Sequence, residues 1–203
     1  MDNKIEEKIL QIIDELKNDN LIDPNRTLKV SKDIAMSFKA GILSRNTITY
    51  NPKYCEELDD DMIRFCLLHE EGHLKRGQYG VPALFLLVCL GGFPLIYCLL
   101  VKANQDLFIL SLFFFLFVLL SSIRILTEPF HWDEYNSDEF ASKILKEKYG
   151  IRKPSKILKR TLDSIPSSLD FSKFHSRLFY AFIEYHPSTE QRVRNIVEFI
   201  DEN

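Results

Sequence analysis

The stretch His69-Glu-Glu-Gly-His73, HEEGH, sets two imidazoles four residues apart and places a carboxylate directly after the first. Upstream stands DDDMIRFCLL, Asp59 to Leu68, whose three leading acidic residues suit the positive end of a helix dipole and predict a helix start. Continued through Gly72, that helix carries His69 and His73 on one face, where both rings reach a single ion. Glu70 is turned by about 100° from His69 and projects beside the ion's open position. From there a carboxylate takes a proton from water and later hands it to a leaving amine. The spacing nominates His69 and His73 as metal ligands and Glu70 as general base. Two imidazoles alone do not hold zinc, so a third protein ligand is required.

A third histidine in the continuation HExxHxxGxxH is excluded, because Arg76 and Tyr79 stand at those positions. The other source is a carboxylate from a later helix. EPFHWDEYNSDEFASKILKEKYG, Glu128 to Gly150, reads as a helix closed by its glycine. Glu134 and Asp138 are four apart on one face of it. That spacing suits a ligating glutamate with an aspartate one turn on that orients a ligating imidazole. A plain reading is also open: Glu128, Asp133, Glu134, Asp138 and Glu139 form a solvated acidic face. Coming after an HExxH, the ligand reading is preferred.

Between the two motifs the chain is apolar. Val81 to Val101 is an uncharged run close to the ~20 residues that cross a bilayer. Lys102 to Asp106 is polar, and Leu107 to Leu126 is a second run whose one charge is Arg124. Together 81–126 reads as a two-helix transmembrane hairpin that anchors the chain in the lipid bilayer. Residues 1–80 and 127–203 then form the two halves of one domain on the same side. Lys75, Arg76 and Arg124 against Lys102 in the tip favour a cytoplasmic face, which makes the expectation an integral membrane protein with two spans.

The remainder is less specific. A net charge of −3 over 203 residues gives no basic footprint, so nucleic acid is not an expected partner. Cys55, Cys66, Cys89 and Cys98 make no CxxC pair and read as ordinary buried or embedded thiols. MDNKIEEKILQIIDELKNDN repeats Ile5, Ile9, Ile12, Ile13 and Leu16 at helical spacing, which predicts an amphipathic helix packed on the domain. Within Thr27 to Tyr50, LKV, AMSFKA and NTITY read as short strands, with Gly41 at a turn. Asn46 to Tyr50 or Met36 to Ala40 could supply a sheet edge for an extended peptide. His131 reads as a helix-start or interfacial residue, and His175 as part of a packed face. Helical runs are expected at Lys156 to Ser164 and Ser172 to Glu184.

One further segment orders these signals. YHPSTEQRVRNI, Tyr185 to Ile196, contains His186, Pro187 and Arg192. HExxH, then ExxxD on a later helix, then a histidine-proline segment ending in arginine resembles the HtpX and CaaX-prenyl-protease family of membrane zinc metallopeptidases. The resemblance runs from about Leu28 to the C-terminus. It implies one zinc ion held by His69, His73 and Glu134, with Glu70 as general base and Asp138 behind the ligands. It further implies that His186 and Arg192 lie near the substrate and help stabilise an oxyanion, which a cation and an imidazole donor suit chemically. Members of that family usually carry transmembrane helices ahead of HExxH, and none is evident here.

The expected architecture is therefore mainly α with a small β-sheet: a zincin-like metallopeptidase domain with an inserted transmembrane hairpin. The expected reaction is hydrolysis of peptide bonds in protein substrates at or near the membrane. A sensor peptidase of the BlaR/MecR type and a catalytically silent zinc-fold adaptor are the alternatives.

Overall fold

The structure, a computed structural model, describes residues 2–32, 37–40, 46–76, 89, 92–93, 96–97, 99, 105–164 and 187–202. The chain divides into two units: Met1–Gly77 with Asp133–Asp170 and Pro187–Asn203, and Gln78–Trp132 with Phe171–His186.

The first unit opens with helix α1, Asp2–Asn18. Its stripe of Ile5, Ile9, Ile12, Ile13 and Leu16 is buried in the core, as the helical spacing predicts. The helix stops where Asn20 turns to φ 57°, a left-handed conformation that asparagine tolerates better than most residues.

Three short strands follow: β1 (Thr27–Val30), β2 (Phe38–Ala40) and β3 (Thr47–Tyr50). Their order is β1-β3-β2, with β1 parallel and β2 antiparallel to β3. This corrects one expectation. Asn46 to Tyr50 does not supply an open edge, because β3 is paired on both sides. The edge on the other candidate segment is β2, while Met36 lies outside the described residues. The inner face of the sheet buries Phe38, Ile48 and Tyr50 against the same core as α1.

Helix α2, Asp60–Arg76, carries the HEEGH stretch. Asp59 caps its start, its Oδ1 accepting the Met62 N–H at 2.9 Å. Met62, Ile63, Phe65, Leu67 and Leu68 are buried in the core, and Phe65, one turn before His69, stacks on its ring with centroids 6.1 Å apart.

Helix α3 runs without a break over Gln105–Tyr149. Gly150 follows at φ 67°, and Ile151 N–H returns to the Leu145 carbonyl at 3.2 Å. The C-terminal part of α3, from Asp133, belongs to the first unit, where Ala141 and Leu145 are buried. Helix α4 is Pro154–Ser164, begun by a proline that lacks the N–H a first turn leaves unpaired anyway. Helix α5, Thr189–Ile196, starts with a reciprocal cap: Ser188 Oγ accepts from Gln191 N–H at 3.2 Å, and Gln191 Oε1 accepts from Ser188 N–H at 2.9 Å.

The expected membrane topology is overturned. Among the described residues no helix is long and apolar enough to cross a membrane. The two spans over 81–126, the bilayer as partner and the cytoplasmic sidedness built on them are withdrawn together. In the second unit, Leu110, Phe113 and Phe117 of α3 are exposed. The helix expected at Ser172 to Glu184 lies outside the described residues.

Candidate metal centre

The site is built where α2 meets the C-terminal part of α3. Gly72 makes that meeting close: a Cβ on it would stand 3.1 Å from both Cα and Oγ of Ser137. Because Gly72 lies between His69 and His73 on α2, this approach brings both rings against α3. His69 Nε2 and His73 Nε2 face each other at 3.0 Å. Glu134 completes the cluster, with Oε2 3.5 Å from His69 Nε2 and Oε1 3.3 Å from His73 Nε2.

Helix α3 addresses the two imidazoles with two parallel rows of side chains four residues apart. The row Asp133 and Ser137 serves His73: its Nδ1 is 2.6 Å from Asp133 Oδ2 and 3.3 Å from Ser137 Oγ. The row Glu134 and Asp138 serves His69, whose Nδ1 lies 2.9 Å from Asp138 Oδ1. That second contact is close but poorly aligned, since His69 Nδ1 is a buried nitrogen without a properly directed hydrogen bond. An oxygen beside Nδ1 in each ring favours the tautomer that leaves Nε2 as electron-pair donor, and both Nε2 atoms point to the same place.

Arg192 of α5 closes the cluster from the side. Its Nε and one terminal nitrogen donate to Asp138 at 2.7 and 2.6 Å, and the other terminal nitrogen lies 3.1 Å from Glu134 Oε2. Arg192 is 8% exposed and Asp138 fully buried. Burial alone would raise the Asp138 pKa, but the guanidinium beside it holds it below the usual carboxylate range. Burial likewise opposes the charge on His73. The carboxylates of Asp133 and Glu134 outweigh it and hold the imidazolium pKa up to about 10.

These residues fit a divalent ion. Bonds of ~2.0–2.1 Å to tetrahedral zinc place neighbouring donors ~3.3–3.4 Å apart. The three separations here, 3.0, 3.3 and 3.5 Å, straddle that edge length. Charge agrees: Glu70, Asp133, Glu134 and Asp138 surround the imidazoles against one guanidinium. The same field that keeps a proton on His73 favours a cation in its place.

Behind this cluster, Glu71 is fully buried and paired with Arg26, with Nε to Oε2 at 2.6 Å and a second bond of 3.2 Å to Oε1. Arg26 also donates to Asn46 Oδ1 at 3.0 Å, and Asp23 N–H reaches Glu71 Oε1 at 3.4 Å. Thus one side chain of α2 fixes both the entry to β1 and the entry to β3. Glu70, its neighbour, accepts the Ala40 N–H of strand β2 at 2.5 Å.

Of the residues singled out in the sequence, His69, Glu70, His73, Glu134, Asp138 and Arg192 all fall within this one region, and His186 lies outside the described residues. Asp133 and Ser137 were missed. Their signal was present as a second row at the spacing of Glu134 and Asp138, one residue earlier. The Arg26–Glu71 pair had no such signal, because nothing in the spacing ties residues 45 apart.

Two helices thus bring an HExxH stretch and a later glutamate together in one group of three donors that could hold a metal ion. Residues 1–200 match Peptidase family M48, and the chain belongs to that family of zinc-dependent metallopeptidases. No curated protein and no solved structure matches it.

Proposed function

We propose that the chain is a zinc endopeptidase that cleaves internal bonds of extended protein segments, with His69, His73 and Glu134 as ligands and Glu70 as general base. The observation that carries this reading is the convergence of three donors at separations matching one tetrahedral ion. A bound zinc ion would supply Lewis acidity, making water a stronger acid and a peptide carbonyl a better electrophile.

The chain's own residues supply the rest. Asp133 and Asp138 hold the rings of His73 and His69 so that Nε2 of each faces the ion's position. Glu70 takes the proton from the attacking water and passes it to the departing amine. Arg192 has all three guanidinium nitrogens occupied by Asp138 and Glu134, which supports positioning of the ligand set ahead of direct contact with an oxyanion. The oxyanion donor is assigned to His186 by the family resemblance. Strand β2, an edge strand beside Glu70, offers an extended substrate main-chain pairing.

The test compares wild type with Glu70→Gln and Glu134→Ala. Bound zinc and chelator-sensitive cleavage of unfolded casein are measured for each. The reading expects one zinc in wild type and in Glu70→Gln, with cleavage in wild type alone, and sharply reduced zinc in Glu134→Ala. Cleavage retained by Glu70→Gln would remove the base assignment, and unchanged zinc in Glu134→Ala would place the third ligand elsewhere.

A further inference from the structure

The hydrogen bond between Glu70 and Ala40 joins the general base to the edge of the sheet. Ser37 carbonyl accepts the Asn51 N–H at 3.0 Å, which marks Ser37 and Asn51 as a bonded pair across β2 and β3. In an antiparallel ladder bonded and unbonded pairs alternate. Lys39–Thr49 is then bonded, while Phe38–Tyr50 and Ala40–Ile48 are not. The main-chain groups of Phe38 and Ala40 therefore point away from β3, out of the edge that a further strand would use. At Ala40 that donor is already taken by Glu70 Oε2, and Ala40 is buried.

We propose that this bond is a latch between substrate binding and catalysis: an extended peptide adding to β2 competes for the Ala40 N–H and, by taking it, releases the Glu70 carboxylate for proton transfer. The inference rests on the reading of Glu70 as general base. It concerns a single donor with two claimants. A hydrogen bond to a carboxylate is roughly twice as strong as one to a neutral carbonyl. A peptide that meets β2 at Ala40 alone does not win that exchange. One long enough to pair at Phe38 as well adds bonds that drive it. Selection for extended segments, and protection against very short ones, then follows from the strand edge itself.

The test uses full-length zinc-loaded protein and fluorescein-labelled β-casein, with binding read by fluorescence anisotropy. Glu70→Gln and Glu70→Ala both lack the base, so neither consumes the probe. The glutamine keeps a carbonyl that claims the Ala40 N–H, and the alanine does not. Glu70→Ala is expected to bind about two- to tenfold more tightly than Glu70→Gln, the range set by one neutral hydrogen bond. Ala40→Pro removes the donor at an edge position whose outward N–H makes proline tolerable. In that background the difference between the two Glu70 variants is expected to vanish. Equal affinities of the two variants with Ala40 present, or the same difference with Pro at 40, would overturn the latch. Zinc-loaded wild type that cleaves no casein would remove the base assignment, and the latch with it. Cleavage by wild type together with a flat binding cycle would remove the latch alone.

Discussion

Oδ2 of Asp133 sits 2.6 Å from Nδ1 of His73, on the side of the ring away from His69. This carboxylate fixes the tautomer and the orientation of one imidazole. Removing the charge while keeping the shape, Asp133→Asn, is expected to weaken zinc binding by about 10- to 100-fold. A competition titration against a chelator of known affinity measures it. Unchanged affinity would mean that Ser137, the other group near Nδ1, is sufficient to orient the ring.

The approach of α2 to α3 rests on the missing side chain of Gly72. In Gly72→Ala the new methyl meets Ser137 Cα and Oγ at 3.1 Å, and the backbone atom has no rotamer by which to withdraw. The helices must separate by a few tenths of an ångström. That shift moves Glu134 relative to both Nε2 atoms. Loss of zinc affinity should therefore exceed the loss of stability, since overpacking costs roughly 1–3 kcal/mol. Urea unfolding with and without excess zinc separates the two effects. A variant equally destabilised in both conditions would show that Gly72 matters for packing only.

Sequence pattern and structure agree where periodicity carried the information. The stripe of α1 is buried as its spacing requires; β2 and β3 fall inside AMSFKA and NTITY, and β1 covers LKV and begins one residue earlier, at Thr27. The helix face joining His69 to His73 was legible because i and i+4 positions coincide on any α-helix. The pairing of strands was not. Nothing in Thr27 to Tyr50 states that the last strand is central, because all three segments are short and similarly apolar. The apolar content of 81–126 was read as length across a bilayer, whereas α3 continues as one helix into the acidic segment that meets α2. Hydrophobicity reports a preference for leaving water, and cannot by itself say what receives the side chains.

Arg26 and Glu71 form a buried ion pair whose partners cannot be removed singly without exposing the other's charge to an apolar environment. Arg26→Met leaves Glu71 fully buried with the Asp23 N–H 3.4 Å and the Lys75 ammonium 3.9 Å from Oε1. A cost of about 3–5 kcal/mol is expected. The double variant Arg26→Met/Glu71→Leu should recover much of it, since both charges are then gone. Chemical denaturation of wild type, Arg26→Met, Glu71→Leu and the double variant gives the coupling directly. Additive losses would show that the two residues act independently.

A third ion cluster makes stability depend on pH. Glu15 accepts from Arg64 Nε at 3.1 Å and from its terminal nitrogen at 3.0 Å, and Tyr149 donates to Glu15 Oε1 at 2.8 Å. The Arg64 hydrogen bonds lower the Glu15 pKa, burial opposes them, and the Tyr149 hydroxyl adds to the lowering. A carboxyl with a depressed folded-state pKa stabilises the fold above its unfolded value of about 4.3, and that contribution disappears as the pH falls through the folded value. The stability gap between wild type and Glu15→Gln should thus be constant near pH 6–7 and shrink below about pH 4.3. Tyr149 gives the opposite limb. Burial, and then its bond to Glu15, push its hydroxyl up to about 12. A raised pKa stabilises the fold below the unfolded value of about 10, and the effect is lost as the pH climbs through 12. The gap between wild type and Tyr149→Phe should hold to about pH 10 and close above it. Denaturation midpoints across the two ranges decide the matter: a gap that runs parallel through both would show that neither group's ionisation is linked to folding.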